Sequence, residues 1–230
     1  FAIGGDGTIL RSITYVKDSS IPILGVNTGR LGFLTSIQRE SISEAISQIK
    51  NKEYTVIERT IIKVNFVSSN NTFIDYPYAL NEITIQRKDT TSLLNISCAI
   101  NDNYLTNYWS DGLIISTPTG STGYSLSNGG SIVSPESNVM LLNPIAPHNI
   151  NMRSLVIPDN SNIKIDTEGD NEINLSLDSR MYSISSSNQI EISKADFTIK
   201  TIKFDDDNFY KRLREKLFWG QDMRNKNIDN

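Results

Sequence analysis

A glycine-rich turn at the start of the chain restricts its fold more than any other feature. The apolar residues 1–3 run into Gly-Gly-Asp-Gly-Thr at residues 4–8, and Ile9 and Ile13 then recur at helical spacing. A strand, a glycine turn and a helix in immediate succession are typical of a parallel α/β layer. Because such a layer has strands and crossover helices on both sides of the turn, we expect the sequence to be truncated at its N-terminus.

The pattern of residues 1–58 predicts a partial Rossmann-like α/β domain that binds a nucleotide. An apolar run at residues 21–26 predicts a buried strand. Ser41, followed three residues later by Glu44, predicts a capping box at the start of a second helix.

Residues 59–204 predict a β-sandwich-like domain, because short β-branched runs alternate there with Asn, Asp and Gly turns. Examples are residues 60–64, 83–85, 163–165, 190–192 and 197–199. Residues 205–230 predict a C-terminal helix that returns to the first domain, with an acidic start at 205–207. Its apolar face consists of Phe209, Leu213, Leu217 and Phe218. The fold class is therefore α/β plus all-β.

Composition narrows the classes of partner. A formal net charge of -4, a pI near 5.1 and the lack of a dense Lys/Arg run predict no nucleic-acid partner and no membrane partner. A single cysteine, Cys98, and a single histidine, His148, leave no material for a disulfide framework or a multi-histidine metal site. We expect a cytoplasmic protein that binds small molecules.

The opening turn predicts a phosphate site that contains one reactive carboxylate. Free backbone N–H groups and the helix dipole make Gly4, Gly5, Gly7 and Thr8 candidate contacts for the phosphates of a donor. A carboxylate repels phosphates unless it binds Mg²⁺ or accepts a proton from an attacking hydroxyl, so Asp6 is a candidate base or metal ligand. The alternative is that Asp6 only caps the following helix.

A second glycine loop follows the predicted strand, at residues 25–34. Its three glycines allow a ligand to approach the backbone. Phe33 is a candidate for stacking on a base, and Arg30 is a candidate contact for the donor phosphates. The alternative is an ordinary loop with Phe33 in the core.

Two polar segments lie in the β-rich domain. Asn81 and Glu82 can bind an adenine edge and ribose hydroxyls, or they can simply be solvated. Residues 111–130 open from an apolar strand into a dense array of hydroxyls and glycines, which is typical of a site for a hydroxyl-rich anionic ligand. A flexible linker is the alternative, and Pro118 and Tyr124 inside the run argue against it.

These four segments, in this order, resemble the ATP-dependent NAD kinase family. The resemblance extends through residues 143–148 and Arg153 and covers essentially the whole chain. The turn at residues 4–8 is shared with lipid kinases, whereas residues 81–82 together with 111–130 are specific. The resemblance implies phosphorylation of the 2′-hydroxyl of the adenosine ribose of NAD. ATP or another phosphoryl donor, Mg²⁺ or another divalent cation, and a homodimer or homotetramer are implied with it.

The resemblance also implies roles for individual residues. Asp6 is the implied catalytic aspartate, with Gly5 and Gly7 beside the phosphates and Phe33 on the adenine side. Asp111 is implied to reach the nicotinamide end across a subunit interface. The other implied NAD contacts are Asn81, Glu82, Thr119, Thr122, Gly123, Tyr124 and Ser127.

Three positions depart from the family pattern. Gly123 stands where Ala is common, and Ser131 and Ser154 stand where Pro is usual. His148 matches a Pro-His feature of the family and is either a structural hydrogen-bonding residue or a ligand contact. Two other functions stay open: a lipid kinase of the same superfamily, which requires an apolar pocket, and a dinucleotide-binding module without catalysis.

Overall fold

The computed structural model describes residues 1–29, 32–67, 73–88, 92–168, 171–205 and 208–220. These residues form two compact units. The first unit contains residues 1–9, residues 22–57 and the described residues from 201 onward, and the second contains residues 10–21 and 58–200.

A three-stranded parallel sheet forms the centre of the first unit. In spatial order its strands are β1 (Ala2–Gly4), β2 (Gly25–Asn27) and β3 (Ile37–Gln38). Because β1 and β2 are parallel, the glycine loops that follow them leave the same edge of the sheet. The strand predicted at residues 21–26 is shorter than expected, and Ile23 forms only an isolated bridge before β2.

Two helices follow these strands, α1 (Asp6–Val16) and α2 (Ile42–Asn51). The predicted capping box is wrong, because the side chain of Ser41 makes no capping hydrogen bond. A short 3-10 helix, Arg39–Ser41, precedes α2 and gives Ser41 a φ of -92° and a ψ of 9°. These angles lie outside the extended region from which an N-cap side chain folds back onto the helix.

Two six-stranded, mostly antiparallel sheets form the second unit, in agreement with the predicted β-sandwich-like domain. The strands are β4 (Thr55–Phe66), β5 (Tyr78–Ala79), β6 (Glu82–Arg87), β7 (Leu94–Ile100), β8 (Asn103–Ser110), β9 (Gly112–Ser116), β10 (Val139–Ile145), β11 (Leu155–Pro158), β12 (Ile163–Glu168), β13 (Glu172–Leu177), β14 (Arg180–Ser185) and β15 (Ile190–Lys203). The spatial order is β11-β10-β9-β6-β13-β14 in one sheet and β5-β4-β15-β12-β7-β8 in the other.

Both sheets contribute to one apolar core. Ile85 and Leu113 of the first sheet and Ile96 and Ile165 of the second are fully buried members of it. Alternate residues of a strand face opposite sides, so each sheet supplies one apolar face to this core. The two runs predicted at residues 190–192 and 197–199 belong to a single long strand, β15.

Two further helices are α3 (Tyr124–Ser127) and the C-terminal α4 (Phe209–Leu217), and α4 belongs to the first unit as predicted. The side chain of Asn208 caps α4, whereas Asp206 and Asp207 of the predicted acidic start lie outside the described residues. Phe218 ends the helix in the left-handed region and is 69% exposed, so it does not extend the apolar face. Among the described residues, no helix is both long and apolar enough to span a bilayer.

Candidate active site

The carboxylate of Asp6 lies where the two glycine loops of the first unit meet. Asp6 begins α1, and its Oδ2 accepts the backbone N–H of Phe33 at 2.8 Å. Its Oδ1 accepts the N–H groups of Leu34 and Thr35 at 3.1 and 3.3 Å. The structure therefore brings Asp6 and Phe33 together, and it does so through the backbone of Phe33.

The loop that holds Asp6 is fixed at two points. A Cβ atom on Gly32 would lie 1.8 Å from Oδ1 of Asp6, so this position accepts only glycine without a rearrangement. Nη1 of Arg212 on α4 donates to the carbonyl oxygen of Phe33 at 2.8 Å, and Arg212 is buried. The C-terminal helix thus supports this loop, a contact that the sequence did not predict. Arg30, a candidate donor contact, lies outside the described residues.

The glycines around the start of α1 have two different roles. Gly4 has a φ of 154°, and a Cβ atom there would lie 2.1 Å from Oγ1 of Thr8. The Cβ positions of Gly5 and Gly7 meet no described atom within 4 Å. The first N–H groups of a helix have no partner within the helix, so the open backbone at Gly5 and Gly7 suits an anion.

Glu82 begins β6 in the second unit and is buried, and Asn81 lies directly before the strand and is half-buried. Glu82 is 8% exposed. In the described part of the chain, Oδ1 of Asn81, Oε2 of Glu82 and Oγ1 of Thr119 are buried and have no hydrogen-bond partner. Buried polar atoms in proteins are almost always hydrogen-bonded. These three unpartnered atoms make this part of the second unit a candidate ligand site.

The electrostatic environment of Glu82 is unusual for a carboxyl group. Burial and, to a smaller degree, the nearby charge of Asp178 raise the pKa of Glu82 to about 8, against a smaller opposing effect of a backbone N–H of Tyr124. A raised pKa keeps the proton on the carboxyl group near neutral pH.

The hydroxyl-rich run divides into residues that hold the loop and residues that are available. It comprises a 3-10 helix, Thr119–Thr122, followed by α3. Oγ1 of Thr117 donates to the carbonyl of Leu80 at 2.6 Å, and Oγ of Ser121 donates to the carbonyl of Pro118 at 2.7 Å. These two hydroxyls are structural.

The predicted hydroxyl contacts are not equivalent. Oγ1 of Thr119 has no partner among the described residues, whereas Oγ1 of Thr122 donates within its own turn to the carbonyl of Thr119 at 3.3 Å. Ser127 is exposed. The hydroxyl of Tyr124 accepts from Nε2 of Gln86 on β6 at 3.1 Å.

Two glycines bring the hydroxyl-rich run against residues 81–82. A Cβ atom on Gly120 would lie 2.0 Å from the carbonyl oxygen of Asn81. A Cβ atom on Gly123 would lie 2.9 Å from Oε2 of Glu82 and 3.3 Å from Nδ2 of Asn81. The two segments that the sequence singled out in the β-rich domain therefore form one site.

Asp111, His148 and Arg153 lie on the surface of the second unit. Oδ1 of Asp111 pairs with Nη2 of Arg87 at 3.0 Å, and Arg87 was not among the predicted site residues. His148 is exposed, and its backbone N–H donates to the carbonyl of Trp109 at 2.8 Å. The guanidinium of Arg153 donates to backbone carbonyls of its own loop.

Two separate segments of the chain match known protein families. Residues 1–54 match the ATP-NAD kinase N-terminal domain, and residues 80–204 match the ATP-NAD kinase C-terminal domain. The NAD kinase of Flavobacterium psychrophilum is 50% identical over 225 residues, which cover 97% of this chain and 76% of that protein. The NAD kinase of Cytophaga hutchinsonii is 43% identical with the same coverage.

Solved structures agree with these sequence matches. Yeast NADH kinase in complex with NADH matches with a TM-score of 0.87 at 29% identity, over 96% of this chain and 66% of the yeast chain. An NAD kinase from Archaeoglobus fulgidus in complex with ATP matches with a TM-score of 0.77 at 28% identity, over 94% of this chain and 81% of that chain.

Proposed function

The chain belongs to the NAD kinase family, and on this premise we propose that Asp6 accepts the proton of the 2′-hydroxyl on the adenosine ribose of NAD while ATP donates its γ-phosphoryl group. The curated relatives are NAD kinases, and two solved relatives hold NADH and ATP. NADP and ADP are the products of this transfer.

The observation that carries the NAD site is the group of three buried atoms without partners, on Asn81, Glu82 and Thr119. Leaving a buried polar atom unpaired costs about 1–3 kcal/mol, so a ligand that pairs all three gains affinity from each. The exocyclic amine of adenine can donate to Oδ1 of Asn81, and the ribose hydroxyls can donate to or accept from the Thr119 hydroxyl and the protonated Glu82 carboxyl. We propose that adenosine binds here, with the ring of Tyr124 beside it and with Gly123, Thr122 and Ser127 completing the wall.

The hydrogen bonds of Asp6 support its proposed role as the base. An ionised carboxylate offers about four acceptor directions, and backbone N–H groups occupy three of them. These donors hold the carboxylate in one orientation and leave room for one further donor, the ribose hydroxyl. In the reaction the hydroxyl oxygen bonds to the γ-phosphorus, the bond from that phosphorus to ADP breaks, and the proton moves to Asp6. General-base catalysis of this kind contributes about 10²- to 10⁴-fold.

The open backbone of Gly5 and Gly7 is the proposed contact for the transferring phosphates, with Gly4 and Thr8 supporting the turn. Donors aligned with the N-terminus of α1 stabilise negative charge that develops on the phosphoryl oxygens. Phe33 is proposed to lie on the adenine side and Arg30 near the donor.

The residues present fit a magnesium ion that arrives with ATP. Among the described residues, no cluster of three or more His, Cys, Asp or Glu side chains could hold a metal ion. Mg²⁺ commonly binds through one or two carboxylates together with substrate phosphates and waters. Because three of its acceptor directions are occupied, Asp6 would supply a protein oxygen to the ion only where it does not accept the ribose proton, and otherwise ATP phosphates and water would hold the ion. The bound ion would neutralise charge on the transferring group.

A homo-oligomer is proposed from the edge strand β8. Tyr104 and Trp109 on this strand are 68% and 57% exposed, and the strand ends directly before Asp111. A second copy that covers this edge would lie beside Asp111, where the proposed contact across a subunit interface is made. The expected location is cytoplasmic, since Cys98 is a free buried thiol.

One assay separates the proposed reaction from its alternatives. The protein is incubated with ATP, Mg²⁺ and either NAD or diacylglycerol, and NADP and phospholipid products are measured. NADP alone supports the proposal, whereas a phospholipid product would identify a lipid kinase. NAD binding by calorimetry without any product would identify a dinucleotide-binding module.

A further inference from the structure

The tip of the hairpin between β13 and β14 carries a buried acidic residue that the proposed mechanism does not use. Leu177 pairs with Arg180, so the hairpin loop consists of Asp178 and Ser179. The side chain of Asp178 is 1% exposed, and its φ of 53° lies in the left-handed region, which Asp tolerates better than most residues.

Asp178 forms hydrogen bonds with the backbone around Asn81 and Glu82. Oδ1 of Asp178 accepts the N–H groups of Asn81 and Glu82 at 2.7 and 3.3 Å, and Oδ2 accepts the N–H of Leu80 at 3.0 Å. The backbone N–H of Asp178 donates to the carbonyl of Glu82 at 3.0 Å. Four hydrogen bonds from a single residue thus fix the course of three consecutive residues.

Arg180 forms hydrogen bonds with the backbone just upstream of these residues. Its Nη1 donates to the carbonyl of Tyr76 at 2.6 Å, its Nη2 donates to the carbonyl of Tyr78, and its guanidinium lies 5.1 Å from the centre of the Tyr76 ring. Nη2 of Arg180 is also 3.9 Å from Oδ2 of Asp178, so the two charges partly compensate each other. The hairpin tip therefore fixes the backbone that leads into β6.

Asp178 also affects the ionisation of the neighbouring Glu82 carboxyl. The groups that act on the Glu82 carboxyl are Asp178 and the backbone N–H of Tyr124, and Arg180 stands behind Asp178. Burial raises the pKa of Asp178, while its three N–H donors and Arg180 act in the opposite direction. An ionised Asp178 disfavours a second negative charge on Glu82.

We infer that Asp178 is a positioning residue for the NAD site: it fixes residues 80–82 so that the side chains of Asn81 and Glu82 face the hydroxyl-rich run. The inference rests on the proposed role of Asn81 and Glu82 in binding NAD. Asp178 makes no proposed contact with the ligand and acts only through these two residues.

The test is the variant Asp178→Asn, with Glu172→Gln as the matched control. Asparagine keeps the size of the side chain but turns an amino group toward backbone donors. Glu172 lies on the same hairpin, and in the described structure its side chain accepts from Lys88 and the Ser183 hydroxyl at the surface rather than from backbone N–H groups. The KM for NAD is expected to rise roughly tenfold or more in Asp178→Asn. The KM for ATP and the kcat at saturating NAD stay within about twofold in both variants.

The pH dependence of NAD binding provides a readout that a purely structural role would not move. Asp178→Asn removes the negative charge beside Glu82 and therefore lowers the pKa of Glu82. The pH midpoint of NAD binding falls with it in this variant, whereas Glu172→Gln leaves the midpoint unchanged. Amide hydrogen exchange at Leu80 and Asn81 becomes faster in Asp178→Asn. If that variant does not fold, Arg180→Lys replaces it, because lysine lacks the planar fork whose two nitrogens serve the carbonyls of Tyr76 and Tyr78. A severalfold rise in the KM for NAD alone is then expected.

Two results would overturn the inference. One is a folded Asp178→Asn protein with an unchanged KM for NAD and an unchanged pH midpoint. The other is an equal loss in kcat and in both KM values together with a lower melting temperature. Asn81→Ala and Glu82→Gln separate the two levels: if they also leave NAD binding unchanged, the proposed site itself is wrong. If they weaken binding and Asp178→Asn does not, only the positioning role fails.

Discussion

Replacing Gly32 with alanine is expected to disable phosphoryl transfer while leaving NAD binding largely intact. The added Cβ would lie 1.8 Å from Oδ1 of Asp6, whereas ordinary contacts begin at 3.4 Å, so the carboxylate or its loop must move by about 1.6 Å. Such a movement breaks at least one of the hydrogen bonds from backbone N–H groups that orient the Asp6 carboxylate. A misplacement of about 1 Å in a reacting group can cost about 100-fold, so we expect kcat to fall by about that factor or more.

The assay is NADP formation at saturating ATP and NAD, combined with calorimetry for NAD. The KM for NAD is expected to change by less than about threefold, because Asn81, Glu82 and Thr119 are untouched and Phe33, which moves with the loop, is only one of the proposed adenosine contacts. Gly29→Ala is the matched control from the same loop: no described atom lies within 4 Å of its Cβ position, so its kcat stays within about twofold. A folded Gly32→Ala protein that retains near-normal turnover would refute the role assigned to this contact.

Three further predictions concern the NAD site of the second unit. Tyr124→Ala raises the Kd for NAD about tenfold, since it removes the ring beside the adenosine, and an unchanged Kd in calorimetry would count against this role. Gly120→Ala places a Cβ atom 2.0 Å from the carbonyl oxygen of Asn81, so we expect weaker NAD binding and a lower melting temperature. Wild-type values for both would contradict the close packing. Burial raises the pKa of Glu82 from 4.5 to about 8 in the folded protein, so the carboxyl contributes stability at low pH that is lost as the pH rises between these values. Urea denaturation at pH 5 and pH 8.5 should show this loss in the wild type relative to Glu82→Gln, and equal pH dependence in both would contradict it.

The parts of the structure that the sequence predicted depend on local patterns. The glycine turn at residues 4–8 predicted β1 and α1, because glycine geometry and helical spacing act over a few residues. Alternating β-branched runs likewise predicted the sheets. The capping box at Ser41 failed because the preceding 3-10 helix overrode a local preference.

The parts that were missed depend on contacts between distant residues. Arg212 supports the loop at Phe33 from 179 residues away along the chain, and Asp178 binds the N–H of Asn81 from 97 residues away. The sequence also predicted one hydroxyl-rich site without separating its members. Both Thr117 and Thr119 are buried, and only their hydrogen bonds distinguish them: Oγ1 of Thr117 donates to the carbonyl of Leu80, whereas Oγ1 of Thr119 has no partner among the described residues.

The central claim is that Asp6 is the base in the phosphorylation of NAD. The most direct measurement compares NADP formation by the wild type and by Asp6→Asn, at saturating ATP, Mg²⁺ and NAD, with calorimetry for NAD on both proteins. We predict that Asp6→Asn abolishes NADP formation but still binds NAD with an affinity close to that of the wild type. Near-normal turnover by a folded Asp6→Asn protein would contradict the claim.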